Sequence, residues 1–336
     1  MTWQTVTSVP STLGESPFWH PQEQMLYWVD IAGFKINRIN TYIGTVESWD
    51  MPSEPGCMAP AASGGLVIAL RDRIVRARVW GAQGGAQGGE KGGEKRGAMG
   101  HATGMEALET LHVFAHDPAT TRFNDGKCDP LGRFWAGTMF EPRTARSAEL
   151  FSLDARDVAS VAGKPAIQRK AGDVTIANGL AFSPDAKTVY WADTPQHTLW
   201  AWDYDMDSNA MANQRIFKKF PPKPDGWQPF QPNNGGYLGR PDGACMDAQG
   251  NYWVAMYEGQ RVLQLSAAGD ILQNIPAPVL CCTMPCLGGD DLQTLYLTTA
   301  RHGRSDADLA MQPQQGCVFS MRVDVPGLPA NFFADS

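Results

Sequence analysis

The chain has 336 residues, of which 43% are hydrophobic and 19% charged, with a formal net charge of −7. That composition supplies a sizeable core and excludes global disorder. With no basic block outside one Gly-rich stretch it offers no phosphate-tracking surface, so no nucleic-acid partner is expected.

No run of about 18 apolar residues occurs, and the N-terminus has neither a basic n-region nor an apolar h-region. No membrane contact is therefore expected, and the reading is a cytoplasmic monomer or weak homo-oligomer. The 7 cysteines include no C-x-x-C pair. Cys281, Cys282 and Cys286 cluster without a usual zinc spacing, so reduced thiols are expected.

Helical periodicity is almost absent. From the N-terminus, short alternating runs rich in aromatic and β-branched residues predict strands near 16–20, 25–30, 35–40 and 46–51. The motif Met25-Leu-Tyr-Trp-Val-Asp30 returns as Thr188-Val-Tyr-Trp-Ala-Asp193 and Asn251-Tyr-Trp-Val-Ala-Met256. Repetition of this kind marks an array or a propeller. Each copy has a short apolar segment, a Pro/Gly/Asp turn and then the aromatic strand. The turns begin at Pro21, Pro60, Pro130, Pro184, Ala248 and Gly289. Six copies of about 55 residues match four-stranded blades of a six-bladed β-propeller, an all-β fold with antiparallel blades. The last copy supplies only strands near 283–288, 294–300 and 316–323, so residues 2–9 are expected to close the ring as its missing outer strand. The whole chain, 1–336, is read as one domain. Residues 81–104 are expected to be a flexible Gly-rich insertion between the third and fourth strands of blade two, on the face opposite the site described next.

Six residues before each turn lies a set of equivalent positions: Glu15, Glu54, Asn124, Asn178, Asp242 and Thr283. The first strand of a propeller blade lines the central channel. Residues just before it ring one channel mouth, so spacing alone gathers five acids or amides from distant parts of the chain. Asn178-Gly179, Asp242-Gly243 and Asn124-Asp125-Gly126 are each also hairpin signals, but their constant phase, between blades, favours a functional ring. Carboxylates pointing into one channel repel one another and raise each other's pKa values, which a divalent cation relieves. Oxygen donors suit Ca²⁺, Mg²⁺ or Mn²⁺, with Zn²⁺ or Fe²⁺ left open. His112 and His116 are spaced i,i+4 without H-E-x-x-H and are read as outer-strand histidines. Cys57, Cys245 and Cys286, three residues after ring positions, are read as small inner-strand residues.

The motifs Gly14-Glu-Ser-Pro-Phe-Trp19, Arg122-Phe-Asn-Asp-Gly-Lys127, Gly137-Thr-Met139, Asn178-Gly-Leu-Ala-Phe-Ser-Pro184 and Pro241-Asp-Gly243 occur in this order. Together they resemble the regucalcin / gluconolactonase / luciferin-regenerating enzyme family over nearly the whole chain, the Gly-rich insertion apart. The resemblance implies a six-bladed propeller with one divalent metal held by Glu15, Asn178 and Asp242. It also implies substrate contacts from Arg122, Asn124 and, after Gly-Thr-Met, Glu141. Glu54 departs from the animal members and is expected to bind substrate or a second ion, or to alter selectivity. The implied activity is metal-dependent hydrolysis of a small-molecule sugar lactone to the aldonic acid, with Asp242 as ligand and general base. Asp125 or a metal hydroxide is left open as the base.

Ring-face loops at 140–148, 221–240 and 301–315 are expected to select the lactone, with Trp227, Phe230 and Tyr237 walling the pocket. Two rivals stand beside this reading: a non-catalytic calcium- or sugar-binding propeller, and a metal-dependent esterase or organophosphate hydrolase on the same fold.

Overall fold

In the second strand of blade one, Met25–Asp30, Leu26, Tyr27, Trp28 and Val29 are all buried. A strand with apolar residues on both faces needs a cover on each side. Outer strands such as Thr45–Asp50 and Ala210–Lys219 are largely exposed. This gradient from buried inner strand to wet outer strand is what four-stranded blades stacked side by side produce.

The computed structural model describes residues 2–80, 104–156, 165–231 and 236–335. They form six four-stranded antiparallel sheets arranged as a propeller. Blade one is Gly14–His20, Met25–Asp30, Lys35–Asn40 and Thr45–Asp50. Blade two is Cys57–Pro60, Leu66–Ala69, Arg73–Ala77 and Glu109–Val113. Blade three is Thr121–Cys128, Phe134–Phe140, Ala148–Asp154 and Ala166–Val174. Blade four is Ala177–Phe182, Thr188–Asp193, Thr198–Asp205 and Ala210–Lys219. Blade five is Arg240–Met246, Tyr252–Tyr257, Arg261–Leu265 and Ile271–Pro276.

Blade six joins Cys282–Gly288, Thr294–Thr299 and Phe319–Arg322 to the N-terminal strand Gln4–Thr5. The expected closure is therefore present. The paired segment is shorter than 2–9, because beyond Thr5 only Val6 and Thr7 reach across, both donating to the Val318 carbonyl.

Turn chemistry explains the repeated motif. Asp129 accepts hydrogen bonds from the Leu131 and Arg133 amides at 2.9 Å, and from Trp135 Nε1 at 3.2 Å. Asp247 does the same for Gln249, Asn251 and Trp253 Nε1, each at 2.9 Å. One carboxylate thus closes the turn after the first strand and anchors the tryptophan of the second. Six apolar clusters then join the blades pairwise, the last bringing Trp19 and Trp28 of blade one against Cys286, Tyr296 and Val318 of blade six.

Most of the expected insertion lies outside the described residues. Gly104 does not belong to a loop: Gly104–Met105 pairs with Val79–Trp80 in a small sheet that follows the third strand of blade two and leads into its fourth. All seven cysteines are free thiols. Cys245 and Cys286 line a cavity at the far end of the channel, which residues 328–331 help to enclose. His112 and His116 pack against Phe114 at centroid distances of 4.7 and 6.3 Å. Among the described residues no helix is long and apolar enough to cross a membrane.

Candidate metal and substrate site

Five of the six first strands carry a register shift at or beside the ring position: between Glu15 and Phe18, Phe123 and Gly126, Asn178 and Ala181, Pro241 and Ala244, and Cys282 and Met284. The expectation that these residues precede their strands needs correction. Glu15, Asn124, Asn178, Asp242 and Thr283 lie inside the strands, at bulges, and only Glu54 precedes its own, Cys57–Pro60. A bulge adds one residue to a strand and re-aims a side chain that pairing would otherwise direct into the sheet.

The glycines that resembled hairpin signals serve this geometry. Gly179 takes a left-handed φ of 62°, and a Cβ there would sit 2.4 Å from the Tyr252 hydroxyl. Ser16, the equivalent residue after Glu15, holds φ 48°, and its hydroxyl accepts from the Met58 amide at 3.1 Å.

Glu15, Asn178 and Asp242 line one cavity of ≈ 610 Å³ together with Glu54, Arg122, Asn124 and Glu141. That volume suits a small molecule. Thr283 does not join them. It is fully buried, and its hydroxyl donates to the Gly14 carbonyl at 2.6 Å, locking blade six to blade one.

A hydrogen-bond chain runs through the floor of the cavity. Arg122 Nη1 donates to Asn124 Oδ1 at 2.8 Å, and Asn124 Nδ2 donates to Asn178 Oδ1 at 2.7 Å. Asn178 Nδ2 donates to Thr194 Oγ1 at 2.8 Å, and that hydroxyl donates to the Pro241 carbonyl at 2.7 Å. The chain fixes which end of the Asn178 amide is oxygen, and Asn178 lines the cavity. Asn124 has both ends of its amide engaged within the protein, since Nδ2 also meets the Ala177 carbonyl at 2.9 Å. Asn124 thus holds Asn178 and also lines the cavity.

Burial dominates the electrostatics of the floor. Burial pushes the Glu15 carboxyl well above the usual range, with the neighbouring charges of Asp242 and Asp125 adding to it. Asp242 is also pushed well up by burial; Arg240 opposes this and Asp125 reinforces it. Positive charge beside two such carboxylates favours their ionised forms, and Arg122 supplies part of it to both, with Arg240 acting on Asp242. Among the described residues no three acids, histidines or cysteines group as a ligand set. The trio is two carboxylates completed by the Asn178 carboxamide, an all-oxygen set that fits a hard divalent cation. Asp125 does not line the cavity. Its Oδ2 accepts from the Leu180 amide at 3.0 Å, Oδ1 is buried without a hydrogen-bond partner, and burial raises its pKa.

On the blade-two and blade-three side, Glu54 and Glu141 share Arg71, at 2.6 and 2.9 Å. Arg122 Nε lies 3.5 Å from Glu141. The hydrogen bonds from Arg71 hold the Glu54 carboxyl below its ordinary value, so it stays an acceptor at neutral pH. The sequence reading missed Arg71. Its available signal was topological, since the link between second and third strands of a blade returns to the ring face.

The aromatic loop needs a second correction. Trp227 and Phe230 pack on the cluster of Leu280, Cys281 and Ala300, while Tyr237 is buried and its hydroxyl lies 3.0 Å from His197 Nε2. None of the three lines the cavity; Tyr257, in the second strand of blade five, does. From 301–315, His302, Gly303 and Arg304 reach the cavity, ahead of the helix Asp306–Met311.

Residues 13–301 match the SMP-30/Gluconolactonase/LRE-like region family. The chain is 39% identical over 333 residues to 6-deoxy-6-sulfogluconolactonase of Pseudomonas putida, covering 99% of each chain. It is 31% identical over 331 residues to regucalcin of Danio rerio, covering 97% of this chain and 96% of the other. Its fold is similar to that of a calcium-binding regucalcin from Agrobacterium tumefaciens, with a TM-score of 0.79, 21% identity and coverage of 99% and 97%.

Proposed function

The chain belongs to the SMP-30/Gluconolactonase/LRE-like family, and from that premise we propose that it is a lactonase that opens a sugar lactone to its aldonic acid with the help of one divalent cation. The observation that carries this reading is the buried oxygen trio Glu15, Asn178 and Asp242 on the floor of a polar, substrate-sized cavity. A relative at 39% identity is named for a 6-deoxy-6-sulfogluconolactone substrate, which supports a six-carbon aldonolactone, plain or sulfonated, as the class.

Glu15, Asp242 and the Asn178 carboxamide oxygen would hold the cation. Bound there, a divalent ion polarises a carbonyl and makes a nearby water more acidic. The protein's own groups supply the rest. Asp242 receives the proton of the attacking water, whose oxygen adds to the lactone carbonyl carbon. The ring C–O bond then breaks as Asp242 returns that proton to the ring oxygen, which leaves as a hydroxyl, and the new carboxylic acid ionises to release the acid that the assay reads. Arg122, buried and tied to Asn124 and to the Phe123 carbonyl at 2.8 Å, presents a pre-oriented cation where negative charge develops. Glu54, whose carboxyl Arg71 holds below its ordinary value, and Glu141, which pairs with Arg71 and Arg122, accept hydrogen bonds from sugar hydroxyls. Asn124 acts as a positioning residue for Asn178. A cytoplasmic location fits seven free cysteines of which all but Cys245 are buried.

The test strips the protein with chelator and restores Ca²⁺, Mg²⁺, Mn²⁺, Zn²⁺ or Fe²⁺. Acid release is followed from a panel of sugar and aliphatic lactones, with Asp242→Ala alongside. Cation-restored hydrolysis that the variant loses by about a hundredfold or more supports the reading. One cation bound with no turnover of any lactone would overturn it in favour of a binding protein.

A further inference from the structure

Arg71 sits in the link between the second and third strands of blade two, behind the wall of the cavity and not in it. Glu54 and Glu141 line the cavity, whereas Arg71 lines a separate depression with Ser53 and Pro118. Its guanidinium is fully committed there. Nε and Nη2 donate to the two Glu54 oxygens at 2.9 and 2.6 Å. Nη1 and Nη2 donate to the two Glu141 oxygens at 2.9 and 3.3 Å, and Nη1 also donates to the Pro118 carbonyl at 2.6 Å. These contacts use every N–H of the fork. The main chain is held as well: the Arg71 amide donates to Ser53 Oγ at 3.4 Å, and its carbonyl lies 3.0 Å from His116 Nε2.

Arg71 therefore has no donor left for a ligand. What it determines is where two carboxylates stand. Glu54 precedes the first strand of blade two and Glu141 follows the second strand of blade three, and like charges brought together from two blades repel without a cation between them. Arg122 adds only a longer contact to Glu141, at 3.5 Å. Across the channel mouth, Arg240 and Arg304 turn to a different carboxylate, Glu258, at 3.2 and 3.6 Å. An ionised carboxylate has about four lone-pair sites, so the fork leaves acceptor capacity on both Glu54 and Glu141. Because Nη2 serves one oxygen of each, the two acceptors stand side by side. Hydroxyls on neighbouring carbons of a sugar ring can meet such a pair together. A lactone without them leaves both carboxylates unmet, which a site built for hydrogen bonding penalises.

We propose that Arg71 is a specificity-determining positioning residue: by clamping Glu54 to Glu141 it builds an acceptor pair that selects lactones with free hydroxyls on two neighbouring ring carbons. It acts without touching the substrate. The proposal rests on the lactonase reading for its substrate class, but the coupling between Arg71 and the hydroxyls is measurable by binding alone.

The experiment compares the cation-loaded wild type with Arg71→Gln and Arg71→Lys. The substrates are glucono-1,5-lactone and its 2-deoxy, 3-deoxy and 4-deoxy counterparts, and the corresponding aldonates are titrated by calorimetry in parallel. For wild type, removing either of two neighbouring hydroxyls should cost about tenfold or more in kcat/KM, chiefly through KM. Arg71→Gln should lose a similar factor on the full lactone and little more on those two deoxy compounds, because clamp and hydroxyl act through one contact. Arg71→Lys, which keeps the charge but not the fork, should fall between. Losses that simply multiply, in variants whose circular dichroism and thermal transition match wild type, would overturn the proposal. So would Arg71→Gln with wild-type kcat/KM on every substrate. Wild type indifferent to all three deoxygenations would overturn it whatever the variants do. If no lactone is hydrolysed with any cation but the same coupling appears in aldonate binding, the lactonase reading fails while the role of Arg71 stands.

Discussion

Asn124 ties together two groups that the proposed chemistry uses separately. Its Oδ1 accepts from Arg122 and its Nδ2 donates to Asn178 Oδ1. Removing it frees the Asn178 amide to rotate and leaves Arg122 Nη1 with only the Phe123 carbonyl. Asn124→Ala should therefore weaken divalent-cation affinity by roughly 10–100-fold, as losing an outer-shell partner of a ligand does. Calorimetric titration of chelator-stripped protein with Ca²⁺ or Mn²⁺ checks this, and unchanged affinity would return Asn124 to a pure substrate contact. The residue was legible in the sequence as one of six equivalent positions. Its hydrogen bond to Asn178 was not, because the distance between the two side chains depends on two neighbouring bulges. Arg71, Glu258 and Arg304 were missed because they lie in links between second and third strands, outside the aligned motif, and their partners come from other parts of the chain.

Among the elements, the bulged first strand matters more than the regular ones. A strictly paired strand alternates its side chains between the two blade faces, which would leave Glu15, Asn178 and Asp242 wedged between blades. The shifts after Glu15 and Asn178 and around Asp242 turn them to the cavity instead. Gly179 shows the cost of this arrangement. Its φ of 62° disfavours any side chain, and the Tyr252 hydroxyl that donates to its carbonyl at 2.6 Å occupies the space a Cβ needs. Gly179→Ala should destabilise the fold by about 1–3 kcal/mol, read as a shift in the urea midpoint at unchanged slope. A neutral result would mean the bulge relaxes freely. Asn178-Gly179 resembles a hairpin turn in sequence because turns and bulges both need a left-handed residue. Which of the two forms depends on the strands that follow.

For the whole molecule, stability depends on closing the ring. Gln4 and Thr5 pair with Ser320 and Phe319, Thr7 Oγ1 accepts from the Val318 amide at 2.9 Å, and Trp3 Nε1 reaches the Pro276 carbonyl of blade five at 2.7 Å. The first segment of the chain thus fastens the last blade to its neighbour and covers the edge of Phe319–Arg322. Deleting residues 2–8 should lower Tm by several degrees, at roughly 2–4 °C for each kcal/mol lost, and should promote self-association through the uncovered edge. Thermal unfolding and size-exclusion chromatography check both, and a deletion variant that stays monomeric with wild-type Tm would show that the apolar clusters between blades suffice.

By itself the sequence determined the number of blades, their strand order, the closing role of the N-terminal segment and the positions of Glu15, Asn178 and Asp242 in the repeat. These are periodic properties, and a repeat writes its period into every copy. Tertiary structure alone decided that Thr283 is a buried clasp between blades, that the 221–240 aromatics are packing and not pocket, and that Arg240 and Arg304 converge on Glu258. Such outcomes arise from contacts between different blades and loops. Local pattern carries no record of them, because each depends on where a second, distant segment comes to rest.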